Sequence, residues 1–196
     1  RKQMNILFDE FPHTVTVHGQ EYEIETDFRE WIKLSLLFMK TERFTRRTLN
    51  NILEWYIDGP PEDDRRAVFA LQEFLLADPA GQCQEEKTGG EGGAIPQKPA
   101  FSYEQDAVYI YSAFLEIYGI DIETIPYMHW WKFKALFEGL PADTEIKERM
   151  YYRTVDLNEI RDKAERKRIK RIRKMIEIKE TNTRKMDAFE IGDVFA

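Results

Sequence analysis

Between two blocks of helical periodicity runs DPAGQCQEEKTGGEGGAIPQKPA, Asp78 to Ala100, which holds five glycines and three prolines. Such a stretch buries too little apolar surface to offset the entropy of ordering it, and Gly and Pro break any helix or strand begun in it. It reads as a flexible linker, dividing the chain into a region 4–77, the linker 78–100, a region 101–179 and a tail 180–196. Its GGEGG lacks both the preceding strand and the following Lys-Ser or Lys-Thr of a phosphate loop. The flanking regions must then supply the core themselves. The 196 residues, 42% hydrophobic and 13% aromatic, suffice for one good-sized core or two small ones built largely of rings.

Before the linker, HTVTVHGQEYEIET alternates apolar and polar residues on both sides of Gly19 and predicts a β-hairpin turning at His18-Gly19. The period then lengthens. A helix is expected from an N-cap at Asp27, supported by Glu30, to about Lys40, with Phe28, Trp31, Ile32, Ser35 and Met39 near one face. A second fits RTLNNILEWYID and stops at Gly59–Pro61. A third follows Asp63 and Asp64, with Ala67, Ala70, Leu71, Phe74 and Leu75 as its stripe.

After the linker, SYEQDAVYIYSAFLEIYG predicts a helix capped by a Ser102–Gln105 box, striped by Ala107, Ile110, Tyr111, Phe114 and Tyr118, and ended at a left-handed Gly119. A short helix through YMHWWKFKALF comes next, then another from Asp143 or Thr144 through Tyr152. Asp156 with Glu159 is the expected start of a long basic helix reaching about Lys179. The expected fold class is therefore mainly α: a multi-helix bundle with a small N-terminal β-hairpin and a long basic C-terminal helix. The closing TNTRKMDAFEIGDVFA has no sustained period and is read as a tail docking locally through Phe189, Ile191 and Phe195.

Spacing argues against chemistry. His13 and His18 are five apart and point to opposite faces of a straight strand, while His129 has Ile125 and Phe133 as its neighbours four away, so no metal-ligand set is expected. Cys83 is single, lies in the linker and is followed by Glu85 and Glu86, which disfavour a thiolate. No Gly-x-Ser-x-Gly elbow is present, and paired carboxylates carry little information in a chain with 36 acids. The expectation is a non-enzymatic protein without cofactor or metal. No apolar run approaches the roughly 20 residues of a membrane span, and no signal-peptide pattern opens the chain.

Binding is the class left open. Arg161–Lys174, RDKAERKRIKRIRK, carries nine basic and two acidic residues, a local +7 in a chain of net charge −7, so the remainder carries −14. Leu157, Ile160, Ala164, Ile172 and Ile176 form an apolar stripe along the expected helix, which leaves Lys167, Lys170, Arg171 and Lys174 among the cations on its other faces. The face can serve nucleic acid, an anionic membrane, an acidic protein, or simply solvation beside the acidic remainder. Nucleic acid is disfavoured because no aromatic rings interleave with the arginines for base stacking. The second candidate surface is Trp130, Trp131 and Phe133. Adjacent helical residues diverge by about 100°, so one tryptophan is expected to anchor the helix against Phe114 and Tyr118 and the other to be offered to a partner, the alternative being that both are core.

Four blocks, MNILFDEFP from Met4, DAVYIYSAFLEIYGIDI from Asp106, MHWWKFKALFEGLP from Met128 and YRTVDLNEIRDKAERKRI from Tyr152, together resemble the bacteriophage gene-product-fifteen family of long-tailed phages and prophages of Gram-positive hosts. The family offers no catalytic residues to carry over. Its usual place in the tail module, after the major tail protein and ahead of the tape measure protein, implies a tail assembly chaperone in the host cytoplasm. The implied partners are the phage tape measure protein and other tail proteins, with self-association open and no membrane. The alternatives are a nucleic-acid-binding accessory protein using the basic helix, or a structural component of the mature tail. Arg1–Gln3 precede Met4, which resembles a natural start, and the expectation for them is either a remnant of cloning or residues read through from an upstream frame.

Overall fold

The computed structural model describes residues 5–41, 45–77 and 99–179; the expectations for the linker core, Cys83 and the tail fall outside them. Among the described residues the protein is mainly helical, with one two-stranded antiparallel hairpin near the N-terminus. They group into two units. The first joins the N-terminal part to Tyr127–Ala135, and the second joins 99–126 to 136–179. The segment carrying both adjacent tryptophans thus belongs with the N-terminal elements, not with the region 101–179 in which the sequence set it.

In the first unit, β1 (Thr14–Val17) and β2 (Gln20–Glu23) pair with Val15 opposite Tyr22. His18 and Gly19 both have positive φ, 49° and 81°, the conformation a two-residue hairpin turn needs to follow the strand twist. Val15 and Val17 are buried, and β1 packs on α3. The helices are α1 (Phe28–Lys40), α2 (Arg46–Leu53) and α3 (Asp64–Leu76). Asp27 caps α1 through Arg29 N, Thr45 caps α2 through Thr48 N, and Asp63 caps α3 through Arg66 N.

The buried face of α1 is Phe28, Trp31, Leu34 and Phe38. Ile32 and Ser35 are only half-buried and Met39 is exposed, so the expected stripe was rotated toward the helix edge. Trp31 and Leu34 are wholly inaccessible, as are Ile52, Val68 and Leu71 from the neighbouring helices. Each such large aliphatic or aromatic side chain contributes roughly 1.5–3 kcal/mol by leaving water. Tyr56, in the turn beyond α2, donates its hydroxyl to Ala67 O at 2.8 Å and ties α3 to that turn.

The second unit holds α4 (Ala107–Tyr118), the last turn of α5 (Trp130–Glu138), α6 (Glu145–Thr154) and α7 (Lys163–Met175), with α6 packed against both α4 and α7. Ile110, Ala113 and Phe114 form the buried side of α4. Its C-terminus closes as expected: Gly119 is left-handed at φ 64°, and Ile120 N donates to Phe114 O at 3.2 Å. Its N-terminus does not. Ser102 Oγ accepts from Glu104 N and Gln105 N in a turn ahead of the helix, Asp106 is the cap residue, and Gln105 bonds both backbone groups of Lys179 instead of the cap.

Asp106 is held by Arg153. The guanidinium donates to both carboxylate oxygens at 2.6 and 2.9 Å, with the two side chains 6% and 1% exposed. Its remaining donors reach Ala100 O at 3.1 Å and Ile176 O at 2.8 Å. One side chain of α6 thereby fixes the start of α4, the segment before it and the end of α7. The basic helix is shorter than its periodicity predicts, because Asp156 turns the chain locally by accepting from Asn158 N, and Asp162 supplies a new cap to Ala164 N.

Candidate functional site

The two tryptophans are a helix clamp. The last carbonyls of α3 have no intrahelical donors, and successive carbonyls diverge by about the same 100° as successive side chains on a helix. Trp131 Nε1 donates to Phe74 O at 3.1 Å and Trp130 Nε1 to Leu75 O at 3.2 Å. Lys134 Nζ donates to Leu75 O at 3.1 Å and to Ala77 O, adding a cation at the negative end of the α3 dipole. Trp130 is 2% exposed and stacks on Phe133 and Trp31, at 6.0 and 6.5 Å between centroids. Phe133 is fully buried against Phe28 at 4.7 Å.

The anchor expected at Phe114 and Tyr118 is therefore Trp31 and Phe133. Trp130 and Phe133 offer a partner no accessible surface in this conformation, and what remains of that trio is the half-buried Trp131, packed against Phe74 at 5.0 Å. The clamp is positioned by backbone: Trp130 N donates to Thr26 O at 2.8 Å, Phe28 N to Met128 O at 2.9 Å, and Met128 N to the same Asp27 carboxylate that caps α1.

His129 is built into this joint. Its Nδ1 accepts from Trp131 N at 3.0 Å, so the ring proton sits on Nε2 and is donated to Pro12 O at 3.0 Å. The ring stacks on Phe11 at 4.8 Å, with His13 edge-on at 5.3 Å. Burial holds its pKa below the ordinary histidine value, the Pro12 carbonyl partly opposes this, and His13 adds to it. Because the folded state resists protonation that the unfolded chain accepts, His129 contributes stability above the unfolded value near 6.5, and that contribution falls as pH drops through it. The urea midpoint of the wild type should fall more between pH 7.5 and pH 5.5 than that of His129→Gln. Equal falls would show that His129 does not couple to folding.

The basic face of α7 is more exposed. In α7 only Ile169 is fully buried, with Ile172 and Ile176 half-buried beside it, while Ala164 is exposed. Arg173 donates to Tyr152 O at 2.8 Å and to Val155 O at 2.6 Å, Arg166 Nε donates to Ile160 O at 3.1 Å, and Arg168 pairs with Glu165 at 2.9 Å. These arginines cap chain ends or a neighbour. Lys163, Lys167, Lys170, Arg171 and Lys174 are exposed, and none makes an ion pair or hydrogen bond to another described residue. At 100° per residue they occupy one stripe about 100° wide and, at 1.5 Å per residue, about 16 Å long, on the side away from Ile169.

A model of the Bacteriophage Gp15 protein family matches residues 7–178. The chain belongs to that family. It is thus a bacteriophage protein of structural or tail-related kind. No curated protein and no solved structure matches it. Among the described residues of this Gp15 family member, no His, Cys, Asp and Glu side chains are grouped to hold a metal ion, and no helix is long and apolar enough to cross a membrane. A shallow groove of about 520 Å³ in the second unit is lined by Leu140, Lys147, Glu148, Tyr151 and Tyr152, a set without a nucleophile–base pair.

Sequence reasoning found the cations but missed the Asp106–Arg153 pair, whose partners are 47 residues apart and carry no local pattern. It also passed over Lys134, whose spacing of four from Trp130 was the available signal for a shared helix end.

Proposed function

We propose that the protein is a non-enzymatic tail assembly chaperone that holds a helical segment of the tape measure protein through the outward face of α7. The observation that carries this is the stripe of five cations, without a partner among the described residues, at helical spacing on a helix whose other face is anchored by Ile169, Arg166 and Arg173. An amphipathic client helix with acids at i, i+4, i+7 and i+11 matches Lys163, Lys167, Lys170 and Lys174 turn for turn. Membership of the Gp15 family supports a tail-related client. The acidic remainder of the chain repels a polyanion, which favours a protein over DNA.

The test reverses Lys167, Lys170, Arg171 and Lys174 to Glu in one variant. Capture of tape measure protein is expected to fall by about tenfold or more, since paired charges across an interface each contribute on the order of 1 kcal/mol. Duplex DNA binding by the wild type should be weak. If instead the wild type binds DNA with a log–log salt slope of roughly one per phosphate contact, and both proteins capture the tape measure equally, the face belongs to nucleic acid. Recovery of the protein from infected-cell lysate but not from purified virions separates a chaperone from a component of the mature tail.

A further inference from the structure

The second unit carries another exposed face, on α4. This helix is apolar nearly all round, AVYIYSAFLEIY, a composition that ordinarily belongs to a helix buried on every side. Ile110, Ala113 and Phe114 take one side into the core, and Arg149 and Arg153 of α6 cover Tyr109 and Asp106. On the side turned from α6, Val108 is 71% exposed, Leu115 43% exposed and Tyr111 half-buried, within about 60° of one another at 100° per residue. Ala107 and Ser112 flank them and permit close approach by another helix.

Charge indicates what covers this face. Residues 99–126 contain no Lys or Arg. Glu116, Asp121 and Glu123 form no salt bridge among the described residues; Glu116 lies in the last turn of α4, beside the exposed face, and Asp121 and Glu123 in the segment that follows its electronegative end. The matching occupant is a helix with a cationic face and a small apolar edge. This chain contains one: α7 presents Lys163, Lys167, Lys170, Arg171 and Lys174, edged by Ala164 and by Met175 at 79% exposure. The two helices, 12 and 13 residues long, both pack on α6, and at 100° per residue each carries its face on the side away from the residues that reach α6, so the match is offered to a second copy.

We propose that α7 of one copy docks on the Val108–Tyr111–Leu115 face of α4 in a second copy, with its lysines against Glu116, Asp121 and Glu123. Lysine stems and Met175 cover the apolar side chains while the ammonium groups reach the carboxylates. The contact is head-to-tail. Each copy keeps a free α7 and a free α4, so association grows past the dimer into rings or open chains. It also uses the lysines assigned above to the client, and client and second copy therefore compete for α7. The self-contact goes beyond that assignment and is tested without any client.

Sedimentation of the wild type, from about 10 µM to about 1 mM to span weak affinities, should show an average mass rising with concentration beyond two chains. Raising salt from about 50 mM to about 500 mM should return it toward one chain. Lys167→Glu/Lys170→Glu/Lys174→Glu and, separately, Glu116→Lys/Glu123→Lys should each remain single chains, because each places like charge on both faces. An equimolar mixture of the two variants should associate again, since each reversed face then meets its opposite. A wild type that stays a single chain throughout overturns the proposal. So does a mass that saturates at two chains and ignores the lysine reversal, which assigns the α4 face to a symmetric pair, and so does a mixture that fails to reassociate.

Discussion

Replacing Arg153 by alanine is expected to cost about 3–5 kcal/mol, the penalty for stripping one partner from a buried ion pair. The loss is large because four interactions end together: two bonds to Asp106 and one each to Ala100 O and Ile176 O. Asp106 is left buried at 1% exposure, with only Ser102 N, at 2.9 Å, still donating to its carboxylate. Against a typical domain stability of about 5–15 kcal/mol, that brings the chain near its unfolding threshold. Arg153→Lys should recover little, since an ammonium cannot span both carboxylate oxygens and both carbonyls. Asp106→Leu combined with Arg153→Met should be less damaging than either charge deletion alone, because it leaves no orphaned charge. Urea unfolding of the three variants decides this. A loss under about 1 kcal/mol for Arg153→Ala, the value of an exposed pair, would mean that water reaches the site.

That pair marks the limit of what this sequence discloses. The His18-Gly19 hairpin and the left-handed Gly119 are local events, each decided by the conformational range of one or two residues, and both were legible. The end of the second helix was not: it falls at Leu53 rather than at Gly59–Pro61, and Trp55, Tyr56 and Ile57 turn to pair with Glu23–Glu25 instead. The phase of a helix is also less legible: on α1 the apolar residues Ile32, Leu36, Leu37 and Met39 spread round the cylinder, and only the tertiary neighbours choose Leu34 and Phe38 over them. On α7 the expected stripe began at Leu157 and Ile160, but Asp162, not Asp156, caps the helix, so those two lie ahead of it. Within it Ile169 shares the phase of Ile172 and Ile176 and is buried, while Ala164 falls on another side and is exposed. The cations were legible as a group. Which of them are free was not, because Arg166 and Arg173 are taken up by carbonyls at Ile160, Tyr152 and Val155, 6 to 21 residues away.

Trp130→Ala should be the most damaging change in the first unit, at about 3–5 kcal/mol for removing a buried indole. The side chain is 2% exposed, lies between Trp31 and Phe133, and satisfies Leu75 O. Trp131→Ala should cost less, because its ring is half-buried, though it also leaves Phe74 O without its donor. Trp130→Phe separates the two contributions: it keeps most of the apolar contact and loses the indole N–H, for which about 1 kcal/mol is expected beyond the volume change. Lys134→Met tests the charge at the same helix end and should cost on the order of 1 kcal/mol, reduced by salt. Because Trp130, Trp131 and Lys134 serve one row of carbonyls, their losses should not add; once one is gone the end of α3 frays and the others hold less. Additive losses, or a Trp130→Ala variant as stable as Trp131→Ala, would show that the pair packs as two independent rings and that α3 ends without them.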